Sequence, residues 1–121
     1  MRIAIPVEDI SVEGKVCPSF GRAPYFYLYD TEDGHTLFLQ NSAAESQGGA
    51  GIKAAQLLVD NQVAVVLAPR CGENSAKVLH SANMHIYKTV SSGVSENLAL
   101  FAQGKLALLD KFHAGFLGHA E

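Results

Sequence analysis

The sequence predicts an α/β fold in which helices cover the faces of a mixed five-stranded sheet. Two short apolar runs, residues 3–7 and 63–67, are typical of strands that are buried on both faces of a parallel sheet. Between them lie two aromatic and β-branched runs, residues 25–29 and 36–39, joined by the turn sequence TEDG at 31–34. This pattern predicts an antiparallel hairpin. From residue 48 onward, helical and strand patterns alternate, and that alternation predicts right-handed parallel crossovers.

The first helix is predicted from apolar residues at helical spacing after a glycine-rich entry. Ile52, Ala55 and Leu58 recur on one face, and Asn61 is a plausible stop before the next strand. Further along, residues 84–87 are predicted to form a short fifth strand.

Two more helices are predicted from their capping residues and their apolar faces. The second covers residues 75–81 with Asn74 as its N-cap, and the third covers 96–103 with Ser95 as its N-cap. Gly104 stands where a C-terminal cap belongs. The predicted order of elements is therefore β-β-β-α-β-α-β-α.

Length and composition predict one soluble domain. A chain of 121 residues that is 48% hydrophobic can bury a single core, which we assign to residues 1–109, and the aperiodic residues 110–121 are predicted to be a mobile tail. A net charge of -3 with scattered Lys and Arg argues against nucleic-acid binding. No apolar run reaches the length of a membrane span, and the start is too short for a signal peptide. We therefore expect a monomeric cytoplasmic protein.

The unusual residues cluster in loops that meet the carboxyl ends of the predicted parallel strands, where open α/β sheets bind ligands. Cys17 and Arg22 follow the first strand, and Arg70 and Cys71 follow the fourth. Each of these two loops thus presents one thiol and one guanidinium. The loops that leave this edge, or can reach it, cover residues 8–23, 41–51 and 68–74.

The third loop contribution is a glycine-rich helix start. Gly48, Gly49, Ala50 and Gly51 would present free backbone N–H groups and a helix dipole to an anion. Together the loops predict an open, positively lined pocket with two soft sulphur donors. Tight helix packing remains the alternative for the glycines, and a small buried residue remains the alternative for each cysteine.

Enzyme chemistry is disfavoured by what the motifs lack. Asp30, Asp60 and Asp110 are spread over different connections, and neither a Ser/His/Asp order nor a G-x-S-x-G elbow occurs. The five histidines show no metal-ligand spacing. A G-x-G-x-x-A spacing begins at Gly49, but it follows a loop rather than a strand, so a dinucleotide site is not predicted.

The run SFGRAPYF at residues 19–26, after the pair KV at 15–16, is similar to the signature of the dinitrogenase iron-molybdenum cofactor biosynthesis family. This family includes nitrogenase accessory proteins and orange-protein-like domains that hold a molybdenum-copper-sulphide cluster non-covalently. The resemblance implies a ribonuclease-H-like three-layer fold without nuclease chemistry. It extends over nearly the whole chain and includes RIAIP at 2–6, NSAA at 41–44, GGAG at 48–51 and GKL at 104–106.

With the residue chemistry, this resemblance predicts a non-enzymatic protein that binds and carries an anionic metal-sulphide cluster of the Mo-Cu-S or Fe-Mo-S type. Its role would be assembly, storage or delivery of the cluster. The candidate binding residues are Phe20, Gly21, Arg22, Gly48, Gly49, Ala50, Gly51, Arg70 and Gly72, with Cys17 and Cys71 as candidate metal ligands.

Two other functions stay open at this point. One is a regulatory or scaffold module that docks on a partner ATPase or cofactor-assembly protein, and the other is a thiol redox enzyme, which would need a cysteine of low pKa. The chain also departs from the family pattern at two places. Ser19 replaces a frequent histidine, and a Pro-Arg-Cys-Gly segment at 69–72 replaces a glycine-rich one.

Overall fold

The computed structural model describes residues 1–11 and 14–112, and it has the predicted order of elements. None of the helices among these residues has the length and apolar character needed to cross a membrane. The elements are β1 (Arg2–Val7), β2 (Tyr25–Asp30), β3 (Thr36–Gln40), α1 (Ala50–Asp60), β4 (Val65–Ala68), α2 (Glu73–Ser81), β5 (His85–Lys88) and α3 (Val94–Ala102).

The five strands form one mixed sheet in the order β3-β2-β1-β4-β5. β2 is antiparallel to both β3 and β1, with Val7 opposite Tyr25 in the β1–β2 pair. β1, β4 and β5 run parallel to one another, with Ile3 opposite Val65. The predicted hairpin and the predicted parallel crossovers are both confirmed.

Two apolar cores lie on opposite faces of the sheet and give the fold three layers. β1 contributes to both, because Ala4 points to one face while Ile3, Ile5 and Val7 point to the other. The α3-side core joins the latter residues to Val65, Leu67, Val94 and Leu106. The helix-pair core joins the sheet to α1 and α2 through Ala4, Phe26, Leu28, Val66, Ile86, Ala54, Ala55, Leu58, Ala76 and Leu79.

The start of α2 differs from the predicted one. The helix begins at Glu73 with Gly72 as its N-cap, and the Ala76 N–H donates its bond to Gly72 O at 2.9 Å. Asn74, the predicted N-cap, lies inside the first turn and is exposed. The helix thus begins two residues earlier than predicted, which places the Glu73 carboxylate in its first turn, where the helix dipole favours a negative charge.

α3 also begins earlier than predicted. Its N-cap is Gly93 rather than Ser95, and Val94, the first helical residue, is buried against the sheet. The predicted C-terminal stop is confirmed, since Gly104 adopts φ 70° just beyond the helix. Asn97, which the apolar pattern did not single out, is completely buried.

Small shifts elsewhere move the ends of the strands. β4 begins two residues later and ends one residue later than predicted, and β5 is shifted by one residue. Pro69 and Thr89 therefore leave the sheet at its edge. Ile52 was predicted on the buried face of the first helix, but 43% of it is exposed. The predicted burial of Ala55 and Leu58 is confirmed, and Ala50 and Ala54 are buried with them.

The last described residues pack along β5. Leu109 donates its N–H to Ile86 O at 2.8 Å, and the Phe112 ring lies edge-on to His80 with the ring centroids 5.6 Å apart. Of the predicted mobile tail, residues 113–121 lie outside the described residues. The predicted division of the chain after residue 109 stays a prediction.

Candidate functional site

The three candidate loops meet at one edge of the sheet. β1, β4 and β5 are parallel, so their carboxyl ends at Val7, Ala68 and Lys88 lie side by side. β2 begins at the same edge, since Tyr25 is opposite Val7. α1 and α2 each lead into a parallel strand, which places their amino ends there as well. We call this region the carboxyl edge.

A cavity of about 300 Å³ opens at the carboxyl edge. Its walls come from the loop after β1, the residue after β4 and the loop after β5. The lining is apolar apart from three hydroxyl side chains, and the volume is at the lower end of that of small-ligand sites. The lining residues are Val16, Pro18, Pro69, Thr89, Val90, Ser91 and Ser92.

Each wall of this cavity carries an exposed basic residue next to a lining residue: Lys15, Arg70 or Lys88. Among the described residues, the one ion pair joins the Met1 ammonium to Asp30 at 3.9 Å. The three cations beside the cavity therefore pair with no carboxylate in this part of the chain. Only Arg70 was predicted. Ligands of open α/β sheets bind at the carboxyl ends of the strands, and β5 is one of these strands. That signal in the sequence would have indicated Lys88 and the loop after it.

Arg22 has a different environment from Arg70. Its half-buried guanidinium donates from one nitrogen to Ala44 O at 2.9 Å and to Ser46 O at 2.6 Å. Its backbone N–H donates to Ser19 Oγ at 3.2 Å. Arg22 therefore ties the loop after β1 to the loop before α1.

A buried asparagine strengthens the same connection. Asn41 donates from Nδ2 to Gly21 O at 3.0 Å and to Ala23 O at 2.8 Å. Its Oδ1 accepts the Ala43 N–H at 3.1 Å. We refer to these contacts of Arg22 and Asn41 together as the loop clasp.

Cys17 lies between two lining residues of the cavity and is 8% exposed. Burial raises the pKa of its thiol above the usual value; the backbone N–H of Ser19, by hydrogen bonding, acts in the opposite direction, and the charge of Glu8 raises the pKa further. The thiol is therefore protonated at neutral pH. It must release a proton to become a thiolate ligand.

Three other predicted site residues belong to the core or to a helix start. Phe20 has no exposed surface and packs its ring 5.3 Å from that of Phe26. Cys71 is likewise completely buried, in the helix-pair core, and Gly72 is the N-cap of α2. Their predicted binding roles stay predictions, and in this conformation a ligand cannot touch Phe20 or Cys71.

The glycine-rich start of α1 also lies at the carboxyl edge. Gly49 is its N-cap with φ 68°, and its carbonyl accepts the Lys53 N–H at 3.0 Å. Gly48 is half-buried, while Ala50 and Gly51 are buried. No side chain caps this helix start, and its predicted contact with an anion stays a prediction.

The arrangement as a whole is suited to an anion. Exposed cations flank the cavity and hydroxyl groups line it, so a bound anion would meet positive charge and hydrogen-bond donors together. Within residues 1–11 and 14–112, no group of three or more His, Cys, Asp or Glu side chains could hold a metal ion.

Comparison with known proteins agrees with this fold. Residues 1–104 match the family model described as dinitrogenase iron-molybdenum cofactor. The apo form of the orange protein from Desulfovibrio gigas has a TM-score of 0.84 and 27% identity, with 89% of this chain and 92% of that chain covered. A Thermotoga protein described as a candidate NifB protein of the DUF35 family has a TM-score of 0.80 and 33% identity, with coverages of 92% and 95%.

A third relative comes from an archaeon. An uncharacterized protein of Methanocaldococcus jannaschii is 26% identical over 109 residues, which are 88% of this chain and 89% of that protein. The family match spans nearly the whole described domain, as the SFGRAPYF run predicted. The chain belongs to the dinitrogenase iron-molybdenum cofactor family.

Proposed function

We propose that this protein binds and carries an anionic metal-sulphide cluster, of the Mo-Cu-S or Fe-Mo-S type, at the carboxyl edge of its sheet. The observation that carries the proposal is the cavity of about 300 Å³, flanked by Lys15, Arg70 and Lys88, which pair with no carboxylate among the described residues. Membership of a cofactor-related family supports it.

The physical fit rests on charge and polarity together. A thiometallate anion is large and polarizable, so apolar walls such as Val16 and Pro69 can contact its sulphurs, and hydroxyl groups can donate to them. Arg70 offers a planar fork of donors that stays charged at any working pH. The cavity is open to solvent, which suits assembly, storage or delivery of a cargo rather than permanent retention.

The thiols have an auxiliary role in this proposal. Cys17 is next to the cavity and is a soft donor for Cu(I) or iron, but its raised pKa makes ligation cost a proton. Two cysteines alone cannot complete a tetrahedral metal site. We therefore expect Cys17→Ser and Cys71→Ser proteins to retain a cluster, with Cys17→Ser releasing it faster.

The test is anaerobic loading of the apo-protein with tetrathiomolybdate and Cu(I), followed by gel filtration with detection of visible absorbance. Colour and metals should elute with the protein at the mass of a monomer. Separate elution of metal and protein would refute cluster carriage.

Paired charge variants locate the site. The double variant Arg70→Ala/Lys88→Ala should lose most of the bound cluster. Lys77→Ala/Lys105→Ala removes the same charge from exposed positions on α2 and beyond α3, and it should load like the wild type. Equal loading of both double variants would move the site away from the cavity.

Docking on a partner ATPase or assembly protein is the second candidate. The observation that favours it is a row of half-buried aromatic residues on β2 and β3, where Tyr25, Tyr27, Tyr29 and Phe38 face the α3 side of the sheet. A colourless protein after isolation from its own host without added metal, and no uptake in the loading test, would favour docking.

A further inference from the structure

One completely buried amide organises the loop that forms the β5 wall of the cavity. Asn97, on α3, accepts the Val90 N–H at its Oδ1 at 3.0 Å. Its Nδ2 donates to Ser91 O at 2.9 Å and to Gly93 O at 2.7 Å. The side chain thus satisfies three backbone groups of a four-residue segment that has no regular structure.

The same segment holds the opposite wall. The Val16 N–H donates to Ser92 O at 2.8 Å, and Lys15 forms an isolated antiparallel bridge with Gly93. Val16 lines the cavity and Lys15 is one of its flanking cations. The position of both walls therefore depends on the shape that Asn97 imposes on the loop after β5.

An asparagine at position 97 destabilises the fold unless its buried amide is hydrogen-bonded. The surroundings on α3 are apolar, with Val94 buried beside it and Leu98 and Phe101 packed on the same core. A buried amide is unfavourable there without partners. Its removal would take away the bonds that it makes to the Val90 N–H and to Ser91 O, whereas Gly93 O would keep the bond from the Asn97 backbone N–H at 3.2 Å.

We propose that Asn97 is a positioning residue for the cluster site, which holds the hydroxyls of Ser91 and Ser92 and the backbone of Val16 at the spacing that the cluster requires. This inference rests on the proposed function of the cavity. Asn97 itself does not line the cavity; it acts through the loop it holds.

The chain contains a matched control for this role. Asn41 in the loop clasp is also buried and also makes three bonds to loop backbone, two through Nδ2 and one through Oδ1. It lines no part of the cavity. Alanine at either position removes the same chemistry, but only Asn97 bonds residues that themselves line the cavity. Asn41 bonds Gly21 and Ala23, which lie further along the loop after β1 than its lining residues.

The experiment compares wild type, Asn97→Ala and Asn41→Ala as intact chains. Each is titrated anaerobically with tetrathiomolybdate and Cu(I), and the dissociation constant, the visible circular dichroism of the bound cluster and the urea midpoint are measured. Both variants should lose similar stability. Asn97→Ala should bind about tenfold more weakly or worse, with an altered dichroism spectrum, while Asn41→Ala keeps the wild-type affinity and spectrum.

Three outcomes overturn the inference. Wild-type affinity and dichroism in folded Asn97→Ala would leave Asn97 a purely structural residue. An equal loss of affinity in Asn41→Ala would attribute the effect to general instability. No binding by the wild type would refute the proposed function and this inference with it. If Asn97→Ala does not fold, Asn97→Ser, which keeps one polar group but cannot span three partners, decides the same comparison.

Discussion

At the residue scale, the two arginines predicted to bind the cluster have different partners. Arg70 is exposed beside the cavity, whereas Arg22 donates to Ala44 O and Ser46 O. We expect Arg70→Ala to weaken cluster binding by about 1.5 to 3 kcal/mol, the range for a hydrogen bond to a charged group, without lowering the free energy of unfolding. Loading titrations and urea denaturation measure the two quantities.

Arg22→Ala should lower the stability of the fold more than the affinity for the cluster. It removes both donors from two loop carbonyls, so the free energy of unfolding should fall by about 1 to 3 kcal/mol, while the affinity changes less than in Arg70→Ala. A large loss of affinity with unchanged stability would instead make Arg22 a direct ligand of the anion.

The thiol of Cys17 should react slowly at neutral pH. Burial raises its pKa, so the folded protein keeps the thiol proton to a higher pH than the unfolded chain does. The resulting contribution to stability is present below the unfolded-state pKa and is lost as pH rises through the folded-state pKa. Peptide mapping after iodoacetamide treatment should show slow labelling of Cys17 at pH 7, faster labelling at alkaline pH, and much faster labelling in urea at both.

Rapid labelling of the folded protein at pH 7 would revive the thiol redox alternative, which needs a reactive thiolate. The sequence predicted Cys17 in the loop after the first strand, and a bond from its N–H to Pro6 O at 2.8 Å holds it beside the end of β1. It could not show that Phe20 is core, since a single aromatic residue between Ser19 and Gly21 has no periodicity that reports burial.

At the element scale, the start of α1 depends on one glycine. Gly49 adopts φ 68°, and a Cβ built there would meet no atom within 4 Å, so the strain of a side chain is conformational rather than steric. Gly49→Ala should lower the free energy of unfolding by about 1 kcal/mol in urea denaturation. Gly93→Ala is the control, because Gly93 has φ -91° and a Cβ built there would lie in ordinary contact with Glu96 Cβ, at 3.8 Å.

Equal destabilisation by the two changes would contradict a conformational role for Gly49.

The type and order of all eight elements were predictable, since apolar spacing is a strong signal over a whole strand or helix. The helix starts were not. Asn74 and Ser95 are good N-cap residues, but each helix begins two residues earlier, after Gly72 and Gly93. In α3 the first helical residue, Val94, is buried, and burial depends on tertiary packing.

At the scale of the whole molecule, cluster binding should weaken as salt rises. The net charge is -3, so attraction of an anion depends on the local group of Lys15, Arg70 and Lys88. Screening shortens from about 10 Å at 0.1 M to about 3 Å at 1 M ionic strength, and exposed cations are the ones it affects. Titrations at several KCl concentrations measure how steeply the dissociation constant of the cluster rises with salt. This dependence should be weaker in Arg70→Ala/Lys88→Ala than in the wild type.

Affinity that does not change with salt would point to buried ligands instead of these cations.

The family and the fold could be predicted because the motifs and the strand pattern are local in sequence. The cavity could not. Its β5 wall, residues 89–92, contains small residues without a motif, and it meets the loop after β1 through the bond from Val16 to Ser92, which links distant parts of the chain.

The central place of β1 in the sheet also bears on how the protein is made. β2 pairs with one side of β1 and follows it closely along the chain, but the other side pairs with β4, where Ile3 is opposite Val65. During translation β1 can therefore pair with β2 early, but it cannot pair with β4 until α1 and β4 have left the ribosome. Through that interval the ribosome-bound chain exposes an apolar open edge, which is where we expect chaperones to bind and where stalled chains would aggregate.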